Sequence, residues 1–204
     1  MTAVAAILCL PASGVAASSA PAWVKLAVKQ LQQLHVRPAA PMNGYSRERF
    51  GPAWDDVDHN GCQTRDDILQ RDLKPFTFKA GDDCQVVKGT LHDPYTGKTI
   101  HFLRGVKTSV AVQIDHVVAL ADAWRTGAAK WKAKRRLAYA NDPAVLLAVD
   151  GPANNQKSDG DAAEWLPPKF TCRYVAQQIA IKMKYSLWVT SAEHDAMAGV
   201  LVGC

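Results

Sequence analysis

The sequence predicts an α+β fold: a small antiparallel sheet surrounded by helices and stabilised by disulfides. Three observations carry this. Apolar residues recur at helical spacing near both ends of the chain, while short apolar runs separated by turn residues lie between them. Strands are interrupted by helices with no regular alternation, which argues against a parallel α/β sheet. Outside an apolar leader the cysteines number four, an even count that suits disulfide pairing in an exported chain. With 204 residues, 48% hydrophobic and 21% charged, the chain can bury one self-sufficient core. That composition excludes a disordered tail, a collagen or a coiled coil.

The elements follow in order. Residues 1–20 read as a signal peptide: Thr2 to Ala20 carry no charge, and Ala3 to Leu10 is an apolar run followed by small residues. The run is too short to span a membrane, and Cys9 within it is not preceded by a lipoprotein pattern, so no membrane anchor is expected. Residues 21–44 form an N-terminal helix and linker. Val24, Leu26, Ala27, Leu31 and Leu34 give the helix from Trp23 to Leu34 its spacing, and Pro38 and Pro41 end it. Residues 45–204 form the main domain. Its first segment, from Tyr45 to Asp56, is loop-like. Asn60-Gly61 marks a turn, and Thr64 reads as the cap of a helix with Asp67 three residues on. Strands are expected around Val86 and Val87, Ile100 and Phe102, and Val110 and Val112, with a turn at Asp93-Pro94-Tyr95-Thr96-Gly97. A helix is expected from Ala119 to Ala140, carrying Lys130, Lys132, Lys134, Arg135 and Arg136. A short strand from Ala144 to Val149 ends at Gly151-Pro152, and a short helix starts at about Ala153. Two closing helices run from Tyr174 to Val189 and from Ala192 to Val202.

Cys62, Cys84, Cys172 and Cys204 allow three pairings. Cys62–Cys84 with Cys172–Cys204 is favoured because each bridge closes a modest local loop; each contributes about 2–4 kcal/mol. A zinc site is the rival, but no C-x-x-C or H-x-x-x-H spacing supports it. The net charge of +5 mildly favours a polyanionic partner. No Walker loop, G-x-S-x-G or H-E-x-x-H is present.

Polar groups with chemical potential concentrate in two places. A strand-like run ends in Asp115-His116, where a metal ligand can sit beside a general base. Further on, Asn141 precedes an apolar strand, and Asn154-Asn155-Gln156-Lys157 opens a helix. A carboxamide oxygen such as that of Asn154 suits a hard cation. Taken alone, each cluster has a bland reading as a surface turn or a helix cap.

Together they resemble the HNH nuclease motif, which builds a ββα-metal core, here at about residues 110–160. Asp115 and His116 fall on its Asp-His, Asn141 on its central Asn, Asn154 on its third position and Lys157 on a Lys three residues later. The segments starting at Tyr45, Cys62, Asp93, Ile114 and Trp165 are similar to those of secreted actinobacterial proteins with an HNH-type domain. That domain is related to the C-terminal part of modification-dependent restriction enzymes. The resemblance covers roughly Tyr45 to Cys204, with the basic segment from Ala119 to Ala140 as an insertion between the two strands.

The resemblance implies a secreted, extracellular endonuclease that cleaves DNA, or alternatively RNA, with little sequence preference and leaves 5′-phosphates; a monomer is expected. His116 and Asn141 are the expected catalytic pair: His116 as general base, Asn141 bracing it through its backbone carbonyl. Asp115 and Asn154 would hold one divalent metal, Mg²⁺ or Mn²⁺. Lys157, Arg65, Lys134 and Arg135 are the expected phosphate contacts, with Arg47 a further possibility. Trp124 and Trp131 are expected to be packing residues. The alternative is an inactive HNH-like domain that binds nucleic acid or a cell surface.

Overall fold

The computed structural model describes residues 20–204. The expected leader, apart from Ala20, lies outside the described residues, and so does Cys9. The chain is α+β, with seven helices and two small antiparallel sheets among the described residues.

Helix α1 (Ala22–Gln33) turns Val24, Ala27 and Leu31 inward, against the two closing helices. Leu26, counted with them in the sequence, stands 55% exposed. Two residues along a helix rotate about 200°, so it leaves the face that Val24 defines. Helix α2 (Thr64–Asp72) has Gln63, not Thr64, at its cap; the Thr64 hydroxyl instead donates to the Asp55 carbonyl at 2.6 Å.

The three-stranded sheet runs β1 (Leu73–Phe78), β2 (Val86–His92), β3 (Thr99–Leu103), with Leu91 opposite Ile100. The sequence reading lacks β1, which contains Pro75. Proline is tolerated there because β1 is an edge strand, where a missing N–H need not break a ladder. Val110 is not in a strand. It is 61% exposed in a 3-10 turn, and the next strand starts at Val112.

The second sheet is a two-stranded ribbon, β4 (Val112–His116) against β5 (Leu146–Asp150), with Asp115 opposite Leu147 and His116 opposite Leu146. The single helix expected between them is two. Helix α3 (Leu120–Arg125) stops before Gly127, whose φ of 143° no other residue type adopts readily, and α4 (Ala133–Ala140) restarts the chain toward β5. Trp124 and Trp131 pack in the core as expected.

Gly151-Pro152 begins helix α5 (Gly151–Lys157) rather than merely ending β5. Asp150 caps it by accepting from Ala153 N at 2.9 Å, and Pro152 sits where the missing N–H is harmless. A Cβ on Gly151 would lie 2.0 Å from the Val110 carbonyl, so only glycine lets the chain turn so sharply off the ribbon. The closing helices are α6 (Thr171–Tyr185), which starts and ends earlier than expected and stops where Ser186 takes a left-handed conformation, and α7 (Ser191–Val202).

Two apolar cores meet at the ribbon. One joins α1, α3, α4, α6 and α7; the other joins α2, the three-stranded sheet and Val112, Ile114, Leu146 and Ala148 of the ribbon. The ribbon is thereby gripped from both sides, a rigid base for its end residues. Cys62–Cys84 pins the loop before α2 to the loop before β2, and Cys172–Cys204 ties the start of α6 to the chain end (Cα–Cα 5.3 and 5.9 Å). Lys182 of α6, fully buried, bonds Asp122 of α3 at 2.9 Å and Glu193 of α7 at 2.8 Å.

Candidate active site

Strand alternation sends Asp115 and His116 to opposite sides of the ribbon's end. Asp115 is met from two directions. Lys157, at the last position of α5, places its ammonium 2.9 Å from Asp115 Oδ1 and donates to the His116 carbonyl at 3.0 Å. The Tyr95 hydroxyl donates to Asp115 Oδ2 at 2.5 Å. Burial pushes the Asp115 carboxyl above its ordinary range, opposed by Lys157 and then by the Tyr95 hydrogen bond.

Tyr95 comes from the β2–β3 turn. Asp93 organises that turn by accepting from Thr96 N at 2.7 Å, and it holds the turn to the ribbon by accepting from Asp150 N at 2.9 Å. The sequence reading saw a turn in these residues and not a partner of the site. Two signals in the sequence point to them: the similarity of the segment starting at Asp93 to secreted HNH-type proteins, and an aromatic Tyr inside an otherwise polar turn.

His116 is buried, and its Nε2 lies 2.9 Å from the Ala140 carbonyl. A carbonyl only accepts, so Nε2 carries the proton and Nδ1 keeps its lone pair. Burial lowers the imidazole to about 4, with the positive charges of Arg47 and Lys157 acting the same way, so the ring is neutral at physiological pH. The bracing carbonyl belongs to Ala140, not to Asn141 as expected. The helical turn of α4 ends here, and Asn141, its C-terminal cap, is rotated so that its side-chain Nδ2 bonds back to Leu137 O at 3.1 Å.

A cleft of about 280 Å³ is lined by Asp115, His116, Asn154, Arg47, Tyr45 and Asp159. Asn154 is oriented by a 2.8 Å bond from its Nδ2 to Gln113 Oε1, and among the described residues nothing donates to its Oδ1. A second cleft of about 360 Å³ adjoins the first at Arg47, His116 and Leu120 and is also lined by Trp54 and Asn141.

The expected phosphate contacts take different places in the fold. Lys157 has no exposed side-chain surface and is spent on Asp115, so its ammonium is closed to solvent. Arg65 lies over the Phe102 ring on the far sheet and lines neither cleft. Arg135 packs over Trp131 and donates to the Tyr185 carbonyl at 2.6 Å, holding α4 to α6. Lys134 is exposed on α4 but also lines neither cleft. The cation that does reach the site is Arg47. It is exposed, it has no ion-pair partner among the described residues, and it lines both clefts.

The donor set fits a hard divalent cation in kind. Asp115 and Asn154 offer oxygens to one cleft, and a carboxylate accepting two hydrogen bonds retains lone pairs for a metal. Among the described residues no group of three or more His, Cys, Asp or Glu side chains is placed to hold a metal.

An antiparallel ribbon ending in Asp-His, followed by a helix carrying Asn154, defines a ββα unit of the HNH type. The chain belongs to the family of the C-terminal domain of GmrSD restriction endonucleases, which matches residues 63–200. A relative from Arthroderma benhamiae is 36% identical over 178 residues, covering 85% of this chain and 82% of its own length; it carries the description "Uncharacterized secreted protein". No solved structure matches the chain. The family establishes a nuclease-type domain, and among the described residues no helix is long and apolar enough to cross a membrane.

Proposed function

We propose that this chain is a secreted, metal-dependent endonuclease that hydrolyses DNA phosphodiester bonds, acting as a monomer with little sequence preference. The observation that carries the reading is the state of His116. Its Nε2–H is held by the Ala140 carbonyl, and its unprotonated Nδ1 sits in a ring that also lines the cleft shared by Asp115 and Asn154. A neutral imidazole with a free lone pair is what a general base requires. Its role is to take a proton from the attacking water.

Asp115 and Asn154 would hold Mg²⁺ or Mn²⁺, which supplies Lewis-acid stabilisation of phosphate charge when bound. Lys157 and Tyr95 hold the Asp115 carboxylate in one orientation. Arg47 would face the phosphate, where its charge offsets the negative charge shared by the two non-bridging oxygens. Recognition in this reading rests on the phosphate backbone. Two disulfides, an uncharged apolar leader and a relative described as secreted support export.

Plasmid nicking by the non-reduced protein, with and without Mg²⁺ or Mn²⁺, tests this beside His116→Ala. Metal-dependent nicking that falls by about 10²–10⁴ in the mutant, with unchanged circular dichroism, is expected. No cleavage with either metal, or equal cleavage by the mutant, would favour a nucleic-acid or cell-surface binding module.

A further inference from the structure

The second cleft shares His116 and Arg47 with the hydrolysis just described, but the rest of its lining has no part in it. Its wall is apolar and aromatic: Trp54 and Phe50 line it beside Pro52 and Leu120. Trp54 lies nearly parallel to the His116 ring, at 17° with centroids 6.4 Å apart, so the aromatic wall is continuous with the general base. One polar atom stands out. Asn141 is 1% exposed, it lines this cleft, and its Oδ1 has no hydrogen-bond partner. The orientation of the carboxamide is set, because Nδ2 must face the Leu137 carbonyl. A buried acceptor without a donor is costly, so it calls for a ligand that brings an N–H. Arg47 lines both clefts, which puts one guanidinium between the phosphate position and this pocket.

We infer that this cleft receives one unpaired nucleobase of the substrate strand, next to the scissile phosphate. This rests on the nuclease reading and names the form of its substrate. A nucleobase has a π-face for Trp54 and an edge N–H for Asn141 Oδ1, and it is joined to a phosphate within reach of Arg47. At about 360 Å³ the cleft is roomy enough for one base and its sugar. A base inside a duplex stays stacked and has its Watson–Crick donors engaged. Single-stranded or locally unpaired nucleic acid is therefore the preferred substrate, with stacking supplying affinity that tolerates any sequence.

The test compares two labelled octamers in EDTA, by fluorescence anisotropy: single-stranded DNA and an abasic sugar-phosphate chain of equal charge. The wild-type protein is expected to bind the DNA about 5- to 150-fold more tightly, the range one base–aromatic contact supports. Trp54→Ala should bring the DNA down to the abasic level, whereas Trp54→Phe should keep most of the difference. Abasic binding retained by both variants shows that they are folded. Equal binding of the two octamers by the wild type overturns the inference, as does a difference that survives Trp54→Ala. Because no metal is present, these outcomes stand apart from the nuclease reading: absent cleavage with base-dependent binding would sink only the latter.

Discussion

Replacing Lys157 by Met separates a structural lysine from a phosphate-binding one. In the fold the Lys157 ammonium has no exposed surface, lies 2.9 Å from Asp115 Oδ1 and donates to the His116 carbonyl at 3.0 Å. Methionine fills similar volume but removes the charge, leaving the Asp115 carboxylate with Tyr95 as its remaining partner. Removing one member of a buried pair costs about 3–5 kcal/mol, because the other charge is left uncompensated. The hydrogen bond from Tyr95 softens this, so a loss of about 3 kcal/mol is expected. With a urea m-value of about 2 kcal/mol/M, the unfolding midpoint falls by about 1.5 M.

The deficit should depend on pH. Without Lys157 the Asp115 carboxyl rises further above its unfolded value, so the folded state binds the extra proton. Stability then declines as pH rises above about 4, and the gap to wild type narrows as pH falls toward that value. The assay is urea unfolding of the disulfide-intact protein at pH 4 and pH 7, followed by circular dichroism. A double-mutant cycle with Asp115→Asn should show strong coupling. A loss under about 1 kcal/mol, additive with Asp115→Asn and independent of pH, would refute the buried-pair account and return Lys157 to the substrate.

Two further titrations have definite signs. Burial lowers His116 to about 4, so the neutral base persists and the nicking rate should stay near its plateau down to about pH 5; a half-loss near pH 6.5 would mean an ordinary, solvated histidine. Glu193, raised to about 8 by burial despite the opposing charge of Lys182, binds its proton more tightly folded than unfolded. Stability should therefore fall as pH rises from about 4.5 through 8, and Glu193→Gln should flatten that decline in thermal unfolding scans. A slope unchanged by the substitution would assign it to another group.

Much of the fold is legible in the chain because periodicity is a local property. The spacing of Val24, Ala27 and Leu31 marks α1, alternating apolar residues mark β3 and β4, and short apolar runs mark β2 and β5. The misreadings have identifiable causes. Pro75 hid β1, since a proline vetoes a central strand but not an edge one. Gly127 split the expected helix before β5 by adopting a φ that helical spacing does not reveal. Gly151-Pro152 reads as a stop, but it is also the way a helix starts.

The site divides along the same line. The sequence by itself determined which groups stand next to each other along the backbone: Asp115 beside His116 at a strand end, Asn154 on the following helix, and cysteines spaced to close local loops. Only the tertiary structure decided their partners. It brought Tyr95 from the β2–β3 turn to Asp115, buried Lys157 instead of exposing it, put the Ala140 carbonyl rather than that of Asn141 on His116, and set Arg47, but not Arg65, Lys134 or Arg135, on the lining of both clefts. The reason is physical. Residue spacing records which side of a helix or strand a group occupies, whereas contacts between distant segments depend on how two cores close around one ribbon, and that is settled by packing summed over the whole chain.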